Sequence, residues 1–166
     1  SWRRFRKTVA IDWMARVRQQ YGWEQVRHLI FLPMYNEDIE VVRTTLRHLV
    51  DSSYPARSMM IVLAGEERKK EHFERVAAVV REEFGDRFFK FWTTLHPTDL
   101  RDEVPGKGSN LHYAGSIVKV YVDELGIPYE RVIVSSFDVD TIAHPQYFAY
   151  LTHEYLAHPD PTHTSF

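Results

Sequence analysis

Two aspartates one residue apart, Asp138 and Asp140, fall within the stretch RVIVSSFDVDTIAHP at residues 131–145. The apolar run before them reads as a buried strand, so the sequence aims both carboxylates from a strand end. Along an extended backbone the side chains of i and i+2 point to one side, about 6–7 Å apart. Two unscreened charges at that spacing repel by about 2–3 kcal/mol in a medium of effective dielectric about 20. A cation in front of them, or the donors of a ligand, offsets that cost. Asp138 and Asp140 therefore form a candidate oxygen-ligand pair for a hard divalent ion, Mg or Mn, with a diphosphate filling the remaining positions. The competing role is structural: one aspartate caps the next helix and the other is solvated.

Two further stretches carry chemistry of the same kind. Lys107 lies between Gly106 and Gly108 in VPGKGSN, at the start of a helical pattern. Exposed amides at a helix N-terminus attract phosphate, and a flanking lysine adds charge. It is not a Walker A loop, because Arg101 and Gly108 stand where that motif needs Gly and Ser or Thr. In PMYNE, Pro33 closes a strand and Tyr35 offers an aromatic face on which a base could stack. Asn36 and Glu37 are placed to bond a nucleoside or to start the next helix, and capping is the expected job of Asn36. His144, His153, His158 and His163 crowd the C-terminal end with uneven spacing and intervening prolines, which favours loop and helix histidines over a metal cluster.

The elements that must position these groups alternate along the chain. HLIFLP is a short buried strand. NEDIEVVRTTLRHLVDSSYP follows with Ile39, Val42, Leu46 and Leu49 at helical spacing. SMMIVLAG is a second strand, and the next helix turns Phe73, Val76, Val80 and Phe84 inward, with Gly85 as its stop. RFFKFWTTL is a third strand, followed by a loop, HPTDLRDEVPGKG. A helix from Ser109 to Glu124 puts Leu111, Ala114, Val118, Tyr121 and Leu125 on one face, and RVIVSSF and PQYFAYLTHEYL supply a fourth strand and a last helix. Strands alternating with helices predict an α/β fold, Rossmann-like, with a mostly parallel sheet and helices on both faces. In such folds ligands bind beyond the carboxyl ends of the strands, where all three polar stretches fall.

Composition narrows the class. At 166 residues and 44% hydrophobic content the chain can bury a core as one domain. The net charge of −2 hides an asymmetry: residues 1–20 carry Arg3, Arg4, Arg6, Lys7, Arg16 and Arg18 against Asp12 alone. The body of the chain is therefore acidic, which argues against nucleic acid as a partner. Absence of cysteine removes disulfides, thiolate chemistry and Cys-based zinc sites and suits a reducing, cytoplasmic compartment. No apolar run reaches the ~18–20 residues that cross a bilayer. Residues 1–26 read as a basic amphipathic N-terminal helix, with Phe5, Val9, Trp13 and Val17 four apart. That helix suits either a membrane surface, through residues 1–20, or the surface of the domain itself. Residues 27–166 form the domain proper.

With these stretches in this order, the chain from about His28 to Leu156 resembles the N-terminal half of a family 2 glycosyltransferase with the GT-A fold. FLPMYNE is similar to the family's first-strand motif, VPGKGSNLHYAG to its Lys-containing segment and VIVSSFDVDT to its DxD strand. The resemblance implies a site for a nucleotide-diphosphate sugar, a UDP-sugar first and a GDP-sugar second, serving transfer of the sugar to a saccharide or lipid-linked acceptor. Pro33, Tyr35 and Glu37 would line the nucleoside pocket and Lys107 would approach the diphosphate. Asp138 would face the ribose or the metal, and Asp140 would bind the metal, whose charge would neutralise the departing diphosphate. Where the family commonly has a base-reading acid, LAGEE offers Ala64 and Gly65, with Glu66 and Glu67 just beyond; where it often has Asn, this chain has His112, with Asn110 two residues earlier. The acceptor half and its catalytic acid have no counterpart here, so the resemblance implies the donor-binding part of an incomplete GT-A domain, no catalytic residue of its own, and a larger enzyme on the cytoplasmic face of a membrane.

Two other functions compete. FDVDT superficially resembles the nucleophile motif of haloacid-dehalogenase-type phosphatases, although those aspartates follow the first strand rather than the fourth and Ile142 stands where Thr or Val is expected. A non-catalytic nucleotide-binding module is the third. A truncated sheet would also leave an edge strand unpaired, which favours self-association.

Overall fold

The computed structural model describes residues 10–98 and 106–163. Four parallel strands form one sheet: β1 (Arg27–Pro33), β2 (Met59–Glu66), β3 (Lys90–His96) and β4 (Val132–Ser136), in the order β3-β2-β1-β4. Five helices connect or cover them: α1 (Trp13–Val17), α2 (Ile39–Val50), α3 (Lys70–Phe84), α4 (Lys107–Glu124) and α5 (Tyr147–Ala157). The α/β, Rossmann-like expectation holds for the described residues, and every strand pair is parallel.

Alternation along β1 and β2 feeds two cores. Ile30 and Leu32 of β1 and Met59, Ile61 and Leu63 of β2 face α2 and α3, where Val42, Leu46, Phe73, Val76 and Val80 are buried. Leu29, Phe31, Met60, Val62 and Ala64 face the other way, onto Ala114, Val118 and Val122 of α4. All eight residues of β2 are buried, as a strand covered on both faces requires. Gly65 is needed there: a Cβ built on it would lie 2.3 Å from the Phe73 ring, so only glycine lets α3 pack this closely.

Handedness explains the strand order. From β1 to β3 the chain steps outward with α2 and α3 on one face. Helix α4 then returns across the opposite face to place β4 beside β1. Right-handed crossovers running in opposite directions put their helices on opposite faces. The strand order thus reverses between β1 and β4, and a crevice opens at their carboxyl ends. β4 is an edge, and its Val134 is 62% exposed.

The N-terminal expectation is corrected in part. Phe5, Val9 and the basic residues at 3–7 lie outside the described residues. Beyond them the helix covers only Trp13–Val17, capped by Asp12, whose carboxylate accepts from the Ala15 N–H at 2.9 Å. Gly22 turns the chain with a φ of 79°. Trp13, Met14 and Val17 are buried, and the Trp13 ring meets Tyr150 and His153 of α5 edge-on, at 4.8 and 5.1 Å. These apolar residues face the domain itself. Among the described residues, no helix is long and apolar enough to cross a membrane.

Candidate functional site

The crevice is held together at one carbonyl. Ala64 C=O, near the end of β2, accepts from the Met34 N–H at 2.8 Å and from Asn110 Nδ2 at 3.0 Å. The first bond continues the sheet past Pro33; the second pins the first turn of α4 to the sheet. Ser109 finishes that turn, its hydroxyl donating to Gly106 C=O at 2.9 Å and accepting from the Gly106 N–H at 3.1 Å. Lys107 therefore starts α4 from a fixed backbone, directly over the carboxyl ends of the strands.

β4 ends at Ser136, and Asp138 opens a turn in which the Thr141 N–H donates to Asp138 C=O at 2.8 Å. This corrects the picture of two aspartates on an extended strand. The cause lies between them: Val139 is buried in the core, and its carbonyl accepts from Thr45 Oγ1 of α2 at 2.6 Å. With Val139 drawn inward, Asp138 and Asp140 both remain exposed. Lys107 Nζ bonds Asp138 Oδ1, joining the second and third polar stretches. The side chains are 51% and 65% exposed, so the pair stands in solvent rather than in a buried socket.

The first stretch folds differently from expectation. Glu37 turns back on its own loop, its Oε2 accepting from the Tyr35 and Asn36 N–H groups at 2.7 and 3.0 Å. Asp38, not Asn36, caps α2, accepting from the Glu40 N–H at 2.9 Å. His72 Nε2 lies 2.9 Å from Glu37 C=O and ties the loop to α3. Glu37 thus shapes the loop that presents Tyr35. The Tyr35 ring is 44% exposed and lies under two cations, with Arg68 Cζ at 5.3 Å and Lys69 Nζ at 5.6 Å from its centroid.

β2 reaches one residue further than SMMIVLAG and ends on Glu66, which is buried and bonded by Arg68 Nη2, with Arg68 Nε at 3.1 Å. An acid therefore does sit at the end of the second strand, coupled to Tyr35 through Arg68. The apolar pattern alone ends that strand at Gly65 and leaves the acid out; the signal for it is the adjacency of Glu66 to an otherwise apolar run. Glu67 accepts from the Thr98 N–H and hydroxyl at 2.8 and 3.0 Å. Those bonds hold its carboxyl below the usual carboxylate range. Residues 99–105, which include Arg101 and the start of VPGKGSN, lie outside the described residues.

Among the described residues no group of three or more His, Cys, Asp or Glu side chains could hold a metal by itself. Two exposed carboxylates do not make a closed protein centre. They do fit a hard cation of the Mg or Mn type, which commonly takes one or two carboxylates and fills its shell from a ligand's phosphates and water. One of them, Asp138, already carries a cation in the form of the Lys107 ammonium. His144 and His158 bond the backbone of Gln146 and Asp160, and His153 lies against Trp13; the side chain of His163 lies outside the described set.

A separate concavity of ≈ 730 Å³ runs along the outer side of β4, lined by the strand itself and by Tyr147, Leu151 and Tyr155. It does not include Lys107, Asp138 or Asp140. No protein-family model matches the chain, and no curated protein matches it.

Proposed function

We propose that the crevice between β1 and β4 is the donor site of a metal-dependent nucleotide-sugar glycosyltransferase of the family 2, GT-A type. The observation that carries this reading is the meeting of Lys107, at the head of α4, with Asp138, at the foot of the β4 turn, where the strand order reverses. A cationic helix start and a carboxylate pair at that place suit a diphosphate and the divalent ion that accompanies it. In this reading Asp140 and Asp138 would hold Mg or Mn, and the ion would supply positive charge to the diphosphate leaving group. Tyr35 offers its face to the base. Glu66 is an acceptor for a base carrying a ring N–H, which uracil and guanine have, and Arg68 must let go of it or share it. Lys107 moves to the phosphates. Pro33 ends the strand so that the loop can turn under the nucleoside. These residues serve donor binding, and none of them is assigned to the acceptor or to the base that activates it.

Calorimetric titration of UDP and of GDP, each with and without manganese, tests the reading. Manganese-dependent binding of one of them, abolished in Asp140→Ala, is expected. Binding that ignores manganese and survives Asp140→Ala contradicts it, as does magnesium-dependent turnover of a simple phosphate ester, the mark of the phosphatase alternative.

A further inference from the structure

The Lys107–Asp138 contact has an energetic oddity that bears on how the site fills. Lys107 is the first residue of an 18-residue helix, where the helix dipole disfavours a cation. Its ammonium nevertheless lies on Asp138 Oδ1, one of the two oxygens of a carboxylate that the donor-site reading gives to the metal. The backbone beneath it is fixed by Ser109 and by the buried Asn110, so only the flexible four-carbon stem has to move. Both partners are more than half exposed, so parting them costs little desolvation.

Resting on the donor-site reading, we propose that Lys107 is the resident counter-ion of the metal site. Without metal, its ammonium neutralises Asp138. When metal arrives, the ammonium leaves Asp138 and takes up the nucleotide's phosphate oxygens. The same side chain therefore opposes the metal alone and supports the metal with its nucleotide. Site loading becomes ordered by charge: a bare cation must displace the lysine, whereas a cation bringing a diphosphate gives the lysine a new partner. This opposite dependence on two ligands is a property that a merely structural surface ion pair lacks.

Free-manganese electron paramagnetic resonance on the full chain, followed by UDP and GDP titration of the manganese-loaded protein, separates the outcomes. Lys107→Met is expected to bind manganese alone about two- to fivefold tighter than wild type, the scale of an exposed pair. The same variant is expected to bind the nucleotide about tenfold weaker, the scale of a lost charge-assisted hydrogen bond. Lys107→Arg should restore both. Lys119→Met, whose lysine pairs with Asp123 along α4, should change neither. Unchanged or weaker manganese binding by Lys107→Met, with nucleotide binding intact in wild type, overturns the counter-ion role and leaves the donor site standing. An equal gain in Lys119→Met reduces the effect to bulk charge and also overturns it. Absence of both manganese and nucleotide binding in wild type overturns both proposals, and thermal melting confirms that each variant is folded.

Discussion

β4 borders two different concavities. Along its outer side runs the ≈ 730 Å³ groove, walled by strand backbone, by Tyr147, Leu151 and Tyr155, and among its described lining residues charged only at Glu130. At the carboxyl edge of the sheet lie two polar clusters: Lys107 on Asp138, with exposed Asp140 two residues on, and Tyr35 with Arg68 and Glu66. The crevice is the richer in charged side chains. The groove exists because β4 is an edge: α5 covers one of its faces through Ile133, while Val134 on the other face is uncovered. The crevice exists because α4 crosses the sheet and brings its N-terminus back over the reversal of strand order. The groove marks where β4 has no sheet neighbour among the described residues, whereas the donor-site proposal rests on charge carried by a fixed backbone.

If the two regions are independent, damage to one should leave the other working. Leu151 closes the groove and packs with Val26, Ile133 and Tyr155. Leu151→Ala is expected to cost about 2–5 kcal/mol in urea unfolding, with the nucleotide affinity of the folded fraction unchanged. A loss of nucleotide affinity in protein shown to be folded would break the separation.

His28 sharpens the contrast from the opposite end of β1. Its Nε2 lies 2.7 Å from Thr152 Oγ1, its ring meets Tyr54 and Phe148 edge-on at 4.8 and 5.1 Å, and its Nδ1 has no partner. Burial pushes its pKa down to about 3. The native state therefore keeps His28 neutral while the unfolded chain protonates it near its ordinary pKa of 6.5. Its contribution to stability is fully present above 6.5 and is lost as pH falls from there toward about 3. The slope from this one group reaches about 1.4 kcal/mol per pH unit. Urea midpoints measured across that window should fall on acidification; a midpoint that rises contradicts a neutral, buried His28.

Much of this architecture was legible in the sequence because a parallel sheet buried on both faces leaves a strong mark. HLIFLP and SMMIVLAG contain no acid, lysine or arginine, and all of β2 is buried. The spacing of Val42, Leu46 and Leu49, and of Phe73, Val76 and Val80, likewise predicts the faces that are buried. What pattern could not supply was set by competition among neighbouring groups. Asn36 and Asp38 are equally good caps by type; Asp38 takes the role, and Glu37 claims the amides of Tyr35 and Asn36. The turn at Asp138 depends on Val139 finding a cavity and a hydroxyl on α2, a contact 94 residues away in sequence. On α4 the buried stripe runs through Asn110, Ala114, Val118 and Val122, with Leu111, Tyr121 and Leu125 only flanking it. Asn110 stands four residues before Ala114, so its place on the inner face was readable; its bond to Ala64 was not. The nucleotide-sugar assignment rests on the motifs and on the crevice that gathers them.

Location is the central claim, and paramagnetic broadening by manganese tests it most directly. With UDP or GDP present, substoichiometric manganese should erase the amide signals of residues 106–109 and 138–141 while sparing Leu151 and Tyr155 along the groove and His28 at the far end of β1. Broadening centred on the groove, or none near Asp138 and Asp140, would contradict a metal-dependent donor site at the carboxyl edge of this sheet.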